Sequence, residues 1–265
     1  MKNIDRLKKI VDDTKAHIYE LPYNENDVRK AYFENLYSIL NHFYLGKVFF
    51  EISKQIKDGK IKFDSDIIDL KPHILRVYEI ADHHFLVNSY HNELNRKIFV
   101  DTFTNFEVTI DLCFSELKND NAIKKIVSDT NNKLLKLTKN HLNSEEIFEL
   151  LIKNTFIPLI RKFKFLAKFK ANCCGENYNY DVKFIEFCSK LRNCVLHSGG
   201  FYKGSDFEYE FDKVRFIFKD NEFLEMTGEN NYVFIKLNER ITNIIIRVFE
   251  CIKEVDYIKY PDDGF

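Results

Sequence analysis

The scarcity of helix-breaking residues is the feature that most constrains how this chain can fold. Its 265 residues include only four Pro and eight Gly, and six of the glycines follow position 170. Glycine and proline are the residues that most often interrupt regular structure, so their absence from long stretches favours long helices. We therefore predict a mainly α-helical protein whose extended segments come late in the chain.

Apolar residues recur at helical spacing along most of the chain. The clearest stripe lies between residues 26 and 57, where nine apolar positions from Phe33 to Ile56 share one helix face. Gly59 stands where a helix cap is expected. Pro158 either starts a new helix or kinks the preceding one. The other predicted helices span about 72–117 with an interruption near Asn92, about 120–141, a segment opened by Ser144, about 181–198 and about 236–255.

A different pattern appears late in the chain. Large apolar residues alternate there with mostly charged ones, namely Tyr209, Phe211, Val214, Phe216 and Phe218. A period of two is typical of strands with one buried face, so we predict a small β-hairpin at about 206–228. The sequence shows neither an internal repeat nor a linker. We therefore predict one domain over 1–265, in which a helical bundle occupies about 25–200.

The composition excludes several classes of protein. Forty basic residues balance 41 acidic ones, so no overall electric field attracts the chain to nucleic acid or to membranes. No window approaches the roughly 18 apolar residues of a membrane helix, and the charged segment 1–9 is unlike a signal peptide. The six cysteines lack the spacing of a disulfide framework and are expected to be buried thiols. The prediction is a soluble, cytoplasmic protein whose 26 phenylalanines fill the core.

The helix predicted at about 181–198 carries the residues best suited to a chemical reaction. On a wheel of 100° per residue, Arg192 and His197 lie about 140° apart, with Asn193 between them and opposite the apolar face. Their side chains can therefore reach one small anion. Gly199 and Gly200 end the helix, so His197 is in the last turn, where the helix dipole favours a protonated imidazole.

These three residue types suit the cleavage of a phosphodiester. Arginine presents a planar fork of donors to a phosphate, histidine exchanges a proton near neutral pH, and asparagine can orient either group. A neighbouring 2′-hydroxyl as the attacking group needs no metal and confines the reaction to RNA. The alternative interpretation is that Arg192, Asn193 and His197 form an ordinary solvated helix face.

The segment 191–200 resembles the signature of the HEPN superfamily. That signature is an arginine, an adjacent polar residue and a histidine a few positions later, near the end of a helix. Arg192, Asn193 and His197 match it, and small residues follow them. The resemblance is sharp over 191–200 and loose, as a helical bundle, over about 25–200. A helix before the bundle, N-terminal to about residue 25, and the late hairpin are not parts of the minimal HEPN bundle.

The resemblance implies a fold, an activity and a set of partners. HEPN proteins are up-and-down helical bundles. Many are metal-independent endoribonucleases of toxin–antitoxin and other prokaryotic defence systems, with sites at a homodimer interface. By this likeness Arg192 binds the phosphate, His197 is the general acid or base, and Asn193 positions them, without cofactor or metal. RNA is then the substrate, and the expected partners are a second copy of the chain and an antitoxin or nucleotidyltransferase.

The same resemblance leaves a second function open. Some HEPN members keep the bundle without nuclease activity. The chain would then be a catalytically inactive HEPN-like module that binds a partner protein or a nucleotide through the same polar face, and its near-neutral net charge fits this role as well as it fits RNA binding.

A basic segment lies between residues 155 and 172, which hold five basic residues and no acidic one. Arg161, Lys164 and Lys168 fall on one helical stripe beside Phe165 and Phe169. Basic and aromatic side chains together can hold an RNA strand by phosphate contacts and base stacking. The alternative is a solvated charged face with two phenylalanines packed in a second layer.

The sequence predicts no metal site. His83, His84 and His91 are spaced along one predicted helix, but neither cysteines nor paired carboxylates complete a ligand set. Cys194 and His197 lie three positions apart and could take zinc, but the CxxC pairing usual in structural zinc sites is missing.

Overall fold

The computed structural model describes residues 2–57, 60, 83–118, 157–169, 175–197, 200–228 and 233–261. These residues form six α-helices and one three-stranded antiparallel sheet, which confirms a mainly helical chain with a small late β-element. The helices are α1 (Lys2–Glu20), α2 (Val28–Lys57), α3 (His83–Leu117), α4 (Leu159–Leu166), α5 (Tyr178–His197) and α6 (Val233–Cys251). The strands are β1 (Phe207–Phe211), β2 (Val214–Phe218) and β3 (Glu225–Thr227), and a 3₁₀ helix, Gly175–Asn177, precedes α5.

The helices follow the apolar periodicity with small shifts at their ends. The helix that carries the motif was expected at about 181–198 and spans Tyr178–His197. Pro158 starts a new helix, since it is the N-cap of α4 with φ −59°. One expectation was wrong: α3 continues without a break through Asn92. The helices predicted at about 120–141 and from Ser144, and the cap at Gly59, lie outside the described residues.

The sheet is larger than the predicted hairpin by one strand. β1 and β2 pair in register from Phe207–Phe218 to Phe211–Val214, and β3 pairs along the other side of β2. Asp212 and Lys213 form the tight turn between β1 and β2, both with positive φ (48° and 67°), as in the type I′ turns that suit hairpins. Burial alternates along β2, where Val214, Phe216 and Phe218 face the core.

The chain divides into two compact units, of which the first comprises Met1–Pro22, Phe33–Thr104 and Leu191–Arg240. Within it, the rings of His17 on α1 and Phe33 on α2 meet edge to face at 4.8 Å. Helices α2 and α3 approach closely at Gly46, where an added Cβ would lie 2.8 Å from the Leu94 side chain. This unit holds the sheet and the motif residues.

The second unit comprises Tyr23–Tyr32, Asn105–Lys190 and Ile241–Phe265. Its most buried polar feature is the ion pair of Asp27 and Arg29, which are 0% and 1% exposed. The segment after α6 pairs with the start of α2: the Val28 amide donates to the Ile258 carbonyl at 2.9 Å, and the Tyr260 amide donates to the Asn26 carbonyl at 2.7 Å. That residues 1–265 form one domain stays a prediction.

Phenylalanine fills the core of the described residues, as the composition indicates. The fully buried members are Phe99, Phe103, Phe106, Phe163, Phe184, Phe187, Phe216 and Phe218. The cysteines that the structure describes, Cys113, Cys188, Cys194 and Cys251, are buried free thiols. Among the described helices, none is both long and apolar enough to cross a membrane.

Candidate functional site

The three motif residues lie in the last two turns of α5. Its inner face is anchored by Leu191 and Cys194, which are 0% and 2% exposed. Arg192 is half-buried beside this apolar face, and Asn193 is exposed. His197 is the last helical residue, and its side chain lies outside the described part of the structure. The helix thus brings Arg192 and Asn193 to one end, while the convergence of Arg192 and His197 on an anion stays a prediction.

The turn that follows the motif helix is fixed by hydrogen bonds at Gly200. Its φ of +96° is the left-handed conformation that glycine adopts without strain. The Gly200 amide donates to the Cys194 carbonyl at 2.9 Å. The Gly200 carbonyl accepts from the Leu224 amide at 2.7 Å and from the Cys194 thiol at 3.0 Å. Burial raises the pKa of the Cys194 thiol, so this group stays a neutral donor.

The β-element is attached directly to this helix end. The Tyr202 amide donates to the Glu222 carbonyl at 2.8 Å, and the Asn221 amide donates back to the Tyr202 carbonyl at 3.0 Å. Phe201 and Phe223 pair across this ladder, with ring centroids 5.5 Å apart. The loop between β2 and β3 thus holds Gly200, Phe201 and Tyr202, which come shortly after the motif helix.

Apolar side chains are exposed around the end of the motif helix. Leu196 is 48% exposed and, at 100° per residue, falls on the arc between Arg192 and Asn193. Phe223, which packs against the turn at Gly200, is 70% exposed. An exposed leucine within the motif arc is compatible both with a solvated helix face and with a surface that another molecule covers.

The predicted basic stripe is not one continuous helix face. Arg161 and Lys164 lie on α4, where Arg161 is half-buried and Lys164 exposed, but α4 ends at Leu166. Lys168 therefore lies in the following turn, where its Nζ stands 4.2 Å from the centre of the Tyr178 ring. These three residues belong to the second unit and the motif belongs to the first.

The phenylalanines beside the basic residues are packed, as in the second-layer interpretation. Phe165 is half-buried, and its ring meets those of Phe114 and Phe169 at 5.3 and 5.6 Å. Lys162, a further base of this segment, pairs with Asp111 at 2.8 Å. Phe165 is thus engaged within the protein, which leaves Lys164 and Lys168 as exposed cations of this segment.

Metal ligation finds no support among the residues that the structure describes. No group of three or more His, Cys, Asp or Glu side chains there could hold a metal ion. His91, one of the three histidines considered from sequence, instead contacts Lys47 of α2. The side chains of His83 and His84 lie outside the described part.

Sequence reasoning missed the cluster of Lys47, His91 and Asn95. Lys47 of α2 lies more than 40 positions before His91 and Asn95 of α3, and no local pattern shows that these two helices pack together. The nearest signal was Gly46, one of only two glycines before position 170, because a glycine inside a helix often has a packing reason.

Comparison of the chain with protein-family models, with curated proteins and with solved structures found no match. The likeness to the HEPN superfamily therefore rests on the motif residues of α5.

Proposed function

We propose that this protein is an HEPN-like, metal-independent endoribonuclease of a prokaryotic defence or toxin–antitoxin system. The observation that carries the proposal is the placement of Arg192, Asn193 and His197 within the last two turns of one helix. A regular helix anchored by a buried face holds its side chains more accurately than a loop does, which suits a site whose chemistry depends on geometry.

The chemistry follows from the residue types. Arg192 binds the scissile phosphate through its guanidinium fork and stabilises the charge that develops in the transition state. His197 exchanges a proton with the attacking 2′-hydroxyl or with the leaving 5′-oxygen. Asn193 orients these groups. The negative end of the helix dipole repels a phosphate, so binding must come from the arginine.

We further propose that a second copy of the chain completes the site. Leu196 is exposed within the motif arc, and a homodimer would cover it. The exposed side chains of Leu196 and Phe223 also suit the second candidate function, an inactive HEPN-like module that binds a partner protein such as an antitoxin or nucleotidyltransferase.

Cleavage of labelled single-stranded RNA in the presence of EDTA tests the activity. The wild-type protein should release fragments with a 2′,3′-cyclic phosphate, because the 2′-hydroxyl attacks, and it should leave the DNA of the same sequence intact. Arg192→Ala and His197→Ala should each lower the cleavage rate by about a hundredfold or more, the scale of a lost proton-transfer or charge-stabilising group.

Lys183→Ala is the matched control. Lys183 is an exposed cation on the same helix, nine positions before Arg192 and on the opposite side of the wheel, so its loss should leave cleavage unchanged. Equal cleavage by wild type and by the Arg192→Ala, His197→Ala double variant would refute the assignment. If the wild type cleaves none of several mixed-sequence RNAs, the inactive binding module is the better account.

A further inference from the structure

A lysine of α2 is held between two side chains of α3 in the first unit. The Lys47 Nζ lies 2.9 Å from the Asn95 Oδ1, and it lies 3.1 Å and 3.4 Å from the Nε2 and Nδ1 of the His91 ring. The centre of the Phe43 ring lies 4.9 Å from the same Nζ. Lys47 is half-buried, in contrast to the exposed Lys54 two turns further along α2.

The hydrogen-bonding pattern is compatible with an uncharged amine. A neutral amine has two N–H bonds, and Asn95 and a neutral His91 offer one acceptor each. Donation to both uses these two N–H bonds and leaves the nitrogen lone pair without a hydrogen-bonding role. The neighbouring groups thus orient the amine without blocking the orbital with which it attacks an electrophile.

The surroundings also favour the neutral forms of both groups. Burial lowers the pKa of Lys47 to about 8, against a smaller opposing effect of Glu51. Burial, followed by the charge of Lys47, lowers the pKa of His91, and Glu51 again opposes. Among the described residues, Glu51 from α2 and His91 from α3 are the titratable groups that act on this amine.

We propose that Lys47 is a covalent acylation site, at which the amine held by His91 and Asn95 takes an acyl group from a thioester without the help of another enzyme. The site is separate from the motif of α5 and does not depend on the proposed nuclease activity. The partner molecule is defined by its chemistry: a small acyl thioester, whose carbonyl carbon is electrophilic and whose thiolate leaves readily.

The step balances without an oxidant or reductant. The lone pair of the Lys47 Nζ forms a bond to the thioester carbonyl carbon, and the carbon–sulfur bond breaks with its electron pair going to sulfur. One amine proton passes to the neutral His91, which lies at hydrogen-bonding distance, and then through solvent to the departing thiolate. The products are an amide on Lys47 and a free thiol.

Acylation would change the contact between the two helices. The amide retains one N–H where the amine had at least two, so Lys47 can keep only one of its two contacts to α3. It also loses the ability to become charged.

The test measures acetylation of the intact protein by acetyl coenzyme A between pH 7 and 9, with quantitative peptide mass spectrometry at Lys47 and, as an internal reference, Lys54. An amine with a pKa of about 8 should react about tenfold faster at pH 9 than at pH 7. An ordinary lysine amine should react about a hundredfold faster at pH 9 than at pH 7, because both pH values lie well below its pKa of about 10.4.

The expected result is a shallow rise at Lys47 of the folded protein and a steeper rise at the same residue once urea unfolds the chain. The same pH slope at Lys47 in the folded and the unfolded protein, or no acetyl group on Lys47 of the folded protein at any pH, would overturn the proposal.

A second variant tests the role of His91. His91→Gln keeps a polar side chain that can accept a hydrogen bond but cannot take up the proton. We expect it to slow acetylation of Lys47 by about tenfold or more, with Lys54 unchanged. Circular dichroism equal to that of the wild type shows that the variant has folded. An unchanged Lys47 rate in the folded variant would contradict the proton transfer to His91.

Discussion

Replacing Asp27 with alanine should lower the free energy of unfolding by about 4 kcal/mol. The Asp27 carboxylate accepts from the Arg29 Nη2 at 2.7 Å, from the Arg29 Nε at 2.9 Å and from the Arg29 amide at 2.8 Å. It also accepts from the Ile258 amide at 3.3 Å. The change would leave a buried guanidinium without its counter-charge and would unpair two backbone amides.

The magnitude follows from the burial of the pair. Asp27 and Arg29 are 0% and 1% exposed, and removal of one partner of a buried ion pair costs about 3–5 kcal/mol. The two unpaired amides do not add their full free-energy cost to this value, because the cost of breaking the ion pair already includes part of the lost solvation of these buried groups. Burial by itself lowers the pKa of Arg29. The hydrogen bonds and the charge of Asp27 more than offset this effect, so the net pKa of Arg29 is raised and the guanidinium stays charged.

Urea unfolding followed by far-UV circular dichroism measures the effect. Glu34→Ala is the control. It removes an exposed carboxylate of α2, the helix that holds Arg29, and should change the free energy of unfolding by less than about 0.5 kcal/mol. The Asp27→Ala, Arg29→Met double variant should be more stable than Asp27→Ala alone, because it no longer buries an unpaired charge. A loss below about 1 kcal/mol for Asp27→Ala, or a double variant that shows the sum of the two single losses, would refute the reasoning.

Two further predictions concern backbone geometry and alkaline pH. Gly228→Ala should destabilise by about 2 kcal/mol or more, because Gly228 has φ +115° and an added Cβ would lie 2.2 Å from the Lys213 carbonyl oxygen; Gly175→Ala, with φ +49° and open space around the new Cβ, should cost less in the same urea assay. Burial raises the pKa of the Cys113 thiol to about 12, so the folded state holds this proton where the unfolded chain releases it. Stability should therefore fall by about 1.4 kcal/mol per pH unit more steeply in wild type than in Cys113→Ala between pH 9 and 11, and equal slopes of unfolding free energy against pH would contradict this.

The helices could be predicted where apolar residues recur along one helix face. The apolar stripe of α2 predicted a helix at 26–57, and the helix spans Val28–Lys57. Its first residue is set by the side chain of Asp27, which accepts the Arg29 amide as an N-cap does. The interruption expected near Asn92 is absent because asparagine disfavours a helix only mildly. Its neighbours His91 and Asn95 are also held by Lys47 of α2.

The strands could be predicted only where burial alternates. β2 alternates between buried and more exposed residues and was recognised, whereas all three residues of β3 are exposed and give no apolar signal. What places β3 is its pairing with β2, from Arg215–Thr227 to Ile217–Glu225. Backbone pairing of this kind leaves no mark in the side-chain pattern.

The candidate sites differ in the same way. Arg192, Asn193 and His197 are neighbours in sequence, so helical periodicity alone assigned them to one helix end. Lys47 meets His91 and Asn95 only because two helices pack at Gly46. A cluster whose residues come from distant segments can be recognised only once the tertiary fold is known, and Gly46 was the one indication of it in the sequence.

The pairing of the segment after α6 with the start of α2 affects the order in which the chain folds during synthesis. The Asp27–Arg29 pair is hydrogen-bonded to the Ile258 amide and to the Ile252 and Asp256 carbonyls, which come more than 220 residues later in the chain. During synthesis the first turn of α2 leaves the ribosome long before these partners exist. Closing so long a loop is entropically slow, so this end of α2 is expected to wait, with its charges still hydrated, as one of the last parts to become native.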